Sequence, residues 1–346
     1  MKAVGYLTPQ TIDHSDALID VTLAKPDVTG RDLLVKVNAI SVNPVDIKIR
    51  LSSSADNNQH KILGWDAVGE VVAIGDGVHN FKRGDQVYYA GDLTRSGSNA
   101  EFQLVDERIV GHKPKSLSNS EAAALPLTAI TAWELLFSRL DFIPIPPDTA
   151  NTAENQPPRQ ILIIGAAGGV GSILTQLASR LTKATVIGTA SRPESERWVK
   201  ALGADHVINH HLPLAAQLNE LGIANVSHVI SLNHTGDHFE QLVEVLAPQG
   251  KLALIDDPQN GLDIMQLKRK SISLHWEFMF TRSLFQTHDM HKQHELLNQL
   301  SELIDRGLIK TTLGEHFGLI NAENLKRAHA HIESNRAIGK IVLEGF

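Results

Sequence analysis

The stretch ILIIGAAGGVGSILTQLA, residues 161–178, decides how the second half of this chain folds. A short aliphatic run of strand character leads into a glycine-rich turn, residues 165–171, which opens into an amphipathic helix. Glycine at 168 lets the backbone come close to a pyrophosphate, and Gly171 lets the helix pack against the strand. The helix N-terminus adds unpaired N–H groups and a partial positive charge. With a strand before it and a helix after it, the pattern reads as a dinucleotide cradle built from Gly165, Ala166, Gly168, Gly169, Val170 and Gly171. Ala166 stands where the G-x-G-x-x-G fingerprint has its first glycine.

The strand that follows, in ATVIGTASRPESE (184–196), selects the nucleotide. An NAD site wants Asp or Glu at the end of this strand to accept from the ribose 2′-hydroxyl. Ser191 and Arg192 stand there instead, and a hydroxyl with a guanidinium suits a 2′-phosphate, so NADPH is expected ahead of NADH. Glu194 and Glu196 read as N-terminal residues of the next helix. Downstream, ESERWVKALG, HVIN, SHVISL, FEQLVEVLAP and KLALID continue the alternation of apolar strands with helices, which indicates a parallel sheet covered on both faces. His210 and His211 follow the third strand. The segments 231–234 and 255–257 end later ones, at the sheet edge where ligands bind in this architecture.

The first 110 residues have a different grain. LLVKVNAISV, AVGEVVAIG, DQVYYAG and AEFQLV are short, β-branched and separated by glycines, as in a barrel-like β domain. SNSEAAALPLTAITAWELLFSRL then turns helical, with Ser118 or Ser120 as N-cap and a break at Pro126. Residues 143–159 hold five prolines and read as a surface linker or insertion. SISLHWEFMF, at 271–280, reads as an edge strand through which two copies could pair, giving a homodimer.

Composition removes several function classes. The chain has 346 residues, a formal charge of −7 and no cysteine. No basic run invites nucleic acid or anionic lipid. Without thiols there are no disulfides, thiolate nucleophiles or cysteine-ligated metals. No apolar stretch reaches the roughly 18 residues of a membrane helix, and MKAVGYLTPQT carries no signal-peptide core, so a cytoplasmic protein is expected. His288, His291 and His294 recur every three residues, which spreads them around a helix and gives no metal site.

Taken together, SVNPVD (41–46), LGWDAVGEVVAIGDGV with FKRGDQV (63–87), SNAEF (98–102), AAALPLTAITAW (122–133), AAGGVG (166–171), LGAD (202–205) and GKIVL (339–343) resemble the medium-chain dehydrogenase/reductase superfamily. Within it the resemblance is to the zinc-free quinone oxidoreductase branch, and more closely to the subgroup labelled zinc-type alcohol dehydrogenase-like. It implies an α/β fold: a Rossmann doubly wound sheet at 128–285, plus a GroES-like β-barrel domain from 1–127 and 286–346. Zinc-dependent relatives read Gly-His-Glu where this chain has Gly64, Trp65 and Asp66, and their other two ligand positions fall at Asn43 and about Leu127. Asparagine, tryptophan and leucine cannot assemble zinc's tetrahedral N/S site. Trp65 is therefore expected to fill the metal's volume as a substrate wall.

Without a Lewis acid, alcohol oxidation loses stabilisation, whereas an electrophilic quinone or enone can accept hydride with hydrogen bonds alone. The resemblance implies a zinc-independent NADPH-dependent reductase of such small electrophiles, working in the interdomain cleft. It places Asn43 and Thr131 near the nicotinamide, Arg336 at a cofactor-reaching position and His210 beside the adenosine phosphate. The residues also admit plainer readings. Asn43 before Pro44 suits an Asx-turn, Thr131 can bond its own helix, and Arg336 can be a solvated loop residue. Asp46 and Lys48 form a proton relay or a surface salt bridge, and Tyr88 and Tyr89 offer a proton donor or core packing. Two rival functions stay open: an alcohol dehydrogenase with an atypical zinc site, and a catalytically silent NADPH sensor.

Overall fold

The computed structural model of the chain describes residues 1–56, 59–145 and 159–346. Residues 146–158 of the expected linker lie outside them. The chain forms two compact units, Met1–Ile130 with Met279–Phe346, and Thr131–Phe278. The cuts fall inside the helix Pro126–Glu134 and just beyond the strand Ser273–Trp276, rather than at 127/128 and 285/286.

The second unit is a six-stranded parallel sheet in the order His206–Ile208, Thr185–Thr189, Gln160–Ile164, Val226–Ser231, Leu246–Leu254, Ser273–Trp276. Numbered along the chain this is 3-2-1-4-5-6, the doubly wound order whose direction reverses beside its first strand. Helices Gly169–Leu181, Pro193–Ala201, Leu214–Glu220 and Thr235–Val245 make the crossovers. Leu162, Ile187, Val229 and Leu252 are fully buried, as strands covered on both faces require. Burial of such side chains stabilises by about 1.5–3 kcal/mol each. Ser273–Trp276 is the last strand of the order, with Trp276 53% and Phe278 47% exposed beside it.

The first unit carries a seven-stranded sheet built on the long strand Asp32–Val42, which pairs with Ala67–Ile74, Phe102–Asp106 and the C-terminal Lys340–Glu344. A three-stranded sheet holds Lys2–Tyr6. The β-rich expectation for this region misses one element, the helix Pro44–Ser52. Its start is set by Pro44 in the first turn and by Asp46, whose carboxylate accepts from the Asn43 N–H at 2.8 Å. The helical stretch after Ser118 divides at Pro126, as expected, and ends in a π turn at Leu135–Arg139. Ser118 and Glu121 form its capping box.

Candidate functional site

In the second unit, the strand Gln160–Ile164 ends at Gly165, whose φ of +81° makes the sharp turn. Ala166 does not take up the left-handed conformation, so Gly165 does the conformational work one residue earlier than the fingerprint places it. The Gly165 N–H is anchored on Thr189 Oγ1 at 3.1 Å. Gly168 is the N-cap of the helix Gly169–Leu181, and no side chain caps that end. Its first N–H groups are therefore available to an anion. A Cβ on Gly171 would lie 2.3 Å from Gly165 O and 2.5 Å from Ala166 Cα, whereas one on Gly168 would meet only Gly165 O, at 3.5 Å. The tight glycine locks helix to strand, and the open one leaves room for a phosphate. These residues fit a dinucleotide.

Ser191 follows the strand Thr185–Thr189, and Arg192 is the N-cap of the helix Pro193–Ala201. The Arg192 guanidinium lies 3.5 Å from Glu194 Oε1, with both side chains partly exposed. Glu194 and Glu196 sit in the helix's first turn, where its dipole favours acids. His210 is half-buried, its ring 4.5 Å from His211 and 6.1 Å from His238 between centroids, and its Nδ1 has no hydrogen-bond partner among the described residues. Burial, then the neighbouring histidines, pushes its pKa down to about 4, so it stands neutral at pH 7. Thr235 donates its N–H to Asp256 Oδ2 at 2.9 Å, and its hydroxyl lies 2.7 Å from Ser231 Oγ.

In the first unit, a buried polar network joins Asn43, Asp66, Lys340 and the backbone N–H of Leu127, next to the positions that the resemblance sets against zinc ligands. Asn43 Nδ2 donates to Asp66 Oδ2 at 2.8 Å, and Leu127 N donates to Asp66 Oδ1 at 2.7 Å. Lys340 Nζ reaches Asp66 Oδ2 at 3.0 Å and Val42 O at 3.1 Å, and also donates to Asn43 Oδ1. An ammonium only donates and a carboxylate only accepts, so the Asn43 carboxamide has one possible orientation. Its uncommitted capacity is one Oδ1 lone pair and one Nδ2–H that meets Ser41 O and Trp65 O only at 3.4 Å. The carboxamide is thus turned to Asp66 and Lys340 rather than into an Asx-turn.

Asp46 is buried beneath the start of its helix, 1% exposed, and caps it through the Asn43 N–H, while Lys48 is exposed. Burial pushes the Asp46 carboxyl up to about 7, aided by the nearby Asp66 and opposed by the Asn43 N–H and Lys340. Burial also raises Asp66, against the pull of Lys340 and its N–H donors.

Trp65 is 2% exposed, edge-on to Phe280 with centroids 6.4 Å apart, and its Nε1–H donates to Asp92 O at 3.3 Å. An indole offers no lone pair to a metal, the Leu127 N–H is committed to Asp66, and Asn43 Oδ1 is held by an ammonium. The donor set does not fit zinc. Tyr88 donates to Leu297 O at 2.5 Å and is a core residue. Tyr89, on the opposite face, is buried with its hydroxyl unpartnered among the described residues, and burial keeps it a phenol. Thr131 is buried in the helix Pro126–Glu134, one turn beyond Leu127, and Arg336 is exposed.

Lys340 is the residue that sequence reasoning missed. Its only local signal is a lone lysine opening the apolar strand GKIVL, and its partners lie almost 300 residues away.

Comparison with known proteins gives a consistent picture. Residues 29–115 match the alcohol dehydrogenase GroES-like domain family, and 202–343 match the zinc-binding dehydrogenase family. A zinc-type alcohol dehydrogenase-like protein of Staphylococcus aureus strain MSSA476 is 40% identical over 343 residues, 99% of either chain. The tomato 2-methylene-furan-3-one reductase is 28% identical over 99% of this chain and 79% of its own. Among solved structures, a Rhizobium etli CFN 42 protein provisionally termed a zinc-dependent alcohol dehydrogenase is 51% identical. It superposes with a TM-score of 0.93 over 100% of this chain and 98% of that one. The Escherichia coli quinone oxidoreductase complexed with NADPH matches at 25% identity and a TM-score of 0.80, over 99% and 100%. Among the described residues no helix is long and apolar enough to cross a membrane.

Proposed function

The chain belongs to the medium-chain dehydrogenase/reductase superfamily, in its quinone oxidoreductase-like branch, and from that premise we propose that it is a cytoplasmic, zinc-independent NADPH-dependent reductase of quinones or α,β-unsaturated carbonyls. The observation that supports this reading best is the Asn43–Asp66–Lys340 network, in which the carboxamide and carboxylate oxygens are engaged by Lys340 and by N–H donors instead of standing free for a metal. Oxidation of an unactivated alcohol needs a Lewis acid or strong base to take its proton, and reduction of an electrophilic acceptor does not.

When bound, NADPH supplies the hydride. The helix N-terminus at Gly169–Val170–Gly171 receives the pyrophosphate, and Ser191 with Arg192 receives the 2′-phosphate, Arg192 turning from Glu194 to do so. His210 borders the adenosine phosphate as a neutral ring, and Arg336 reaches the cofactor from its loop. Asn43 and Thr131 orient the nicotinamide or meet the acceptor oxygen, and Trp65 forms one wall. Tyr89, held as a phenol, donates a hydrogen bond or proton to the acceptor. The names of the Escherichia coli and tomato relatives support both acceptor classes.

Absorbance at 340 nm tests this with NADPH or NADH against an ortho-quinone, a para-quinone, an alkenal and a simple aldehyde. Turnover of a quinone or alkenal is expected, with NADPH preferred. Tight NADPH binding without turnover of any acceptor makes the protein a sensor. The names of the zinc-type relatives favour a second reading, an alcohol dehydrogenase, which stoichiometric zinc in purified protein would establish against the donor set.

Two copies are proposed to pair through the edge strand Ser273–Trp276, covering Trp276 and Phe278. Light scattering on the eluting protein should give twice the chain mass, and a monomer refutes the pairing.

A further inference from the structure

We propose that Lys340 is a positioning residue for hydride transfer, its ammonium fixing the carboxamide of Asn43 against Asp66 so that a covalently attached cation does the ordering that a metal does in zinc-using relatives. The proposal rests on the reductase reading above and extends it to a residue outside the expected site. Three segments distant in sequence meet at this one ammonium: Val42 and Asn43 at the end of the strand Asp32–Val42, Asp66 before the strand Ala67–Ile74, and Lys340 at the start of Lys340–Glu344. The backbone register explains the approach, since Ile341 pairs with Val42 and brings the lysine against Asn43. Through Leu127 N, Asp66 also holds the beginning of the helix Pro126–Glu134, which carries Thr131.

Lys340 is 4% exposed and directs its ammonium to Asp66, Asn43 and Val42. It has no hydrogen left for an acceptor, so it acts through Asn43. An ammonium on Oδ1 polarises the amide and makes the weakly engaged Nδ2–H a better donor. The acceptor gains the hydride, its oxygen takes the resulting charge and then a proton from water or Tyr89, and NADP⁺ leaves as the oxidised product. Asn43 and Lys340 lend hydrogen bonds and transfer no proton.

The charged groups facing Lys340 are Asp66 and Asp46. Burial already favours a neutral Asp66, and Lys340 opposes it. Without the ammonium, the Asp66 carboxyl should hold its proton to higher pH than it does in wild type, and a protonated carboxyl donates where the carboxylate accepted. The Asn43 carboxamide would then sit in two orientations governed by pH.

The test compares wild type, Lys340→Met, and the charge-neutral double variant Asp66→Asn/Lys340→Met, in steady-state NADPH oxidation with a para-quinone across pH. Lys340→Met should lose roughly a hundredfold in kcat, leave the KM for NADPH within about twofold, and displace the dependence of log kcat on pH from that of wild type. The double variant removes both charges of the Asp66–Lys340 pair together. It should share the loss in kcat and return the pH profile toward that of wild type. Wild-type kcat in the double variant, or a wild-type pH profile in Lys340→Met, overturns the proposal.

The Asn43 side-chain amide signals in ¹⁵N-asparagine spectra, assigned by their loss in Asn43→Ala, provide a readout that needs no turnover. Their pH dependence should move in Lys340→Met and return toward that of wild type in the double variant. If wild type turns over no acceptor yet these signals behave so, the reductase reading fails while the Lys340 positioning stands. Signals that ignore Lys340→Met refute the positioning.

Discussion

Replacing Arg192 with glutamine should weaken NADPH selectively. In the absence of cofactor the guanidinium pairs with Glu194 Oε1 at 3.5 Å, with the two side chains 38% and 49% exposed. An exposed pair of this length is worth about 0–1 kcal/mol, so turning to a 2′-phosphate costs little. A charge-assisted bond between guanidinium and phosphate is worth about 1.5–3 kcal/mol, or roughly 10- to 150-fold in Kd. Arg192→Gln should therefore raise the NADPH Kd by that factor and shift NADH by less than about twofold, because NADH has no phosphate to lose. Glu194→Gln, which removes one competitor for the guanidinium, should tighten NADPH by up to about fivefold. Isothermal titration with both nucleotides reads both effects. Equal weakening of NADPH and NADH would mean that Arg192 only shapes the turn into its helix, and no change in either would remove it from the cofactor site.

Gly171→Ala should weaken NADPH and NADH alike by more than about tenfold, because its Cβ meets backbone atoms at 2.3 and 2.5 Å and must push the helix from the strand; fluorescence titration measures it. Tyr89→Phe removes a buried hydroxyl without a partner, so urea unfolding should show about 1 kcal/mol of added stability while kcat falls at least about tenfold. Unchanged kcat would return Tyr89 to the core. His329 is fully buried with neither ring nitrogen bonded among the described residues, and burial, helped by Arg50, pushes its pKa down to about 3 from 6.5. The folded state binds its proton less readily than the unfolded one, so this contribution is intact above pH 6.5 and is lost as pH falls toward 3. His329→Leu should flatten the pH dependence of unfolding free energy by about 1.4 kcal/mol per pH unit in that window, as urea melts would show.

The second unit was legible because its signals are local. A strand, a glycine turn and a helix follow one another within 18 residues, and repeated strand–helix alternation indicates a parallel sheet, while its 3-2-1-4-5-6 order is seen only in the structure. Even there Gly165, not Ala166, makes the turn, a detail that depends on φ and not on residue type. The helix Pro44–Ser52 was hidden because Val45, Ile47 and Ile49 alternate like a strand; Asn43, Pro44 and Asp46 were the start signals that outweighed them. Asp46 beside Lys48 looks like a surface pair in sequence, yet helical geometry sends Asp46 under the helix start and Lys48 to solvent. Which of two adjacent tyrosines keeps a spare hydroxyl depends on register, since Tyr88 faces Leu297 and Tyr89 does not.

The network around Asp66 was half legible. The motif comparison identified Asn43, Trp65 and Leu127 as unable to hold zinc, but nothing near them in sequence signals that a cation comes from the last strand instead. That pairing is fixed by the antiparallel register of residues 341–344 with 39–42.

The most direct measurement is NADPH oxidation with a para-quinone by protein dialysed against a strong chelator, with zinc quantified on the same sample. An undiminished rate with zinc far below one per chain is the expected result. A rate that disappears with the metal and returns when zinc is added back would contradict a reductase organised by Lys340.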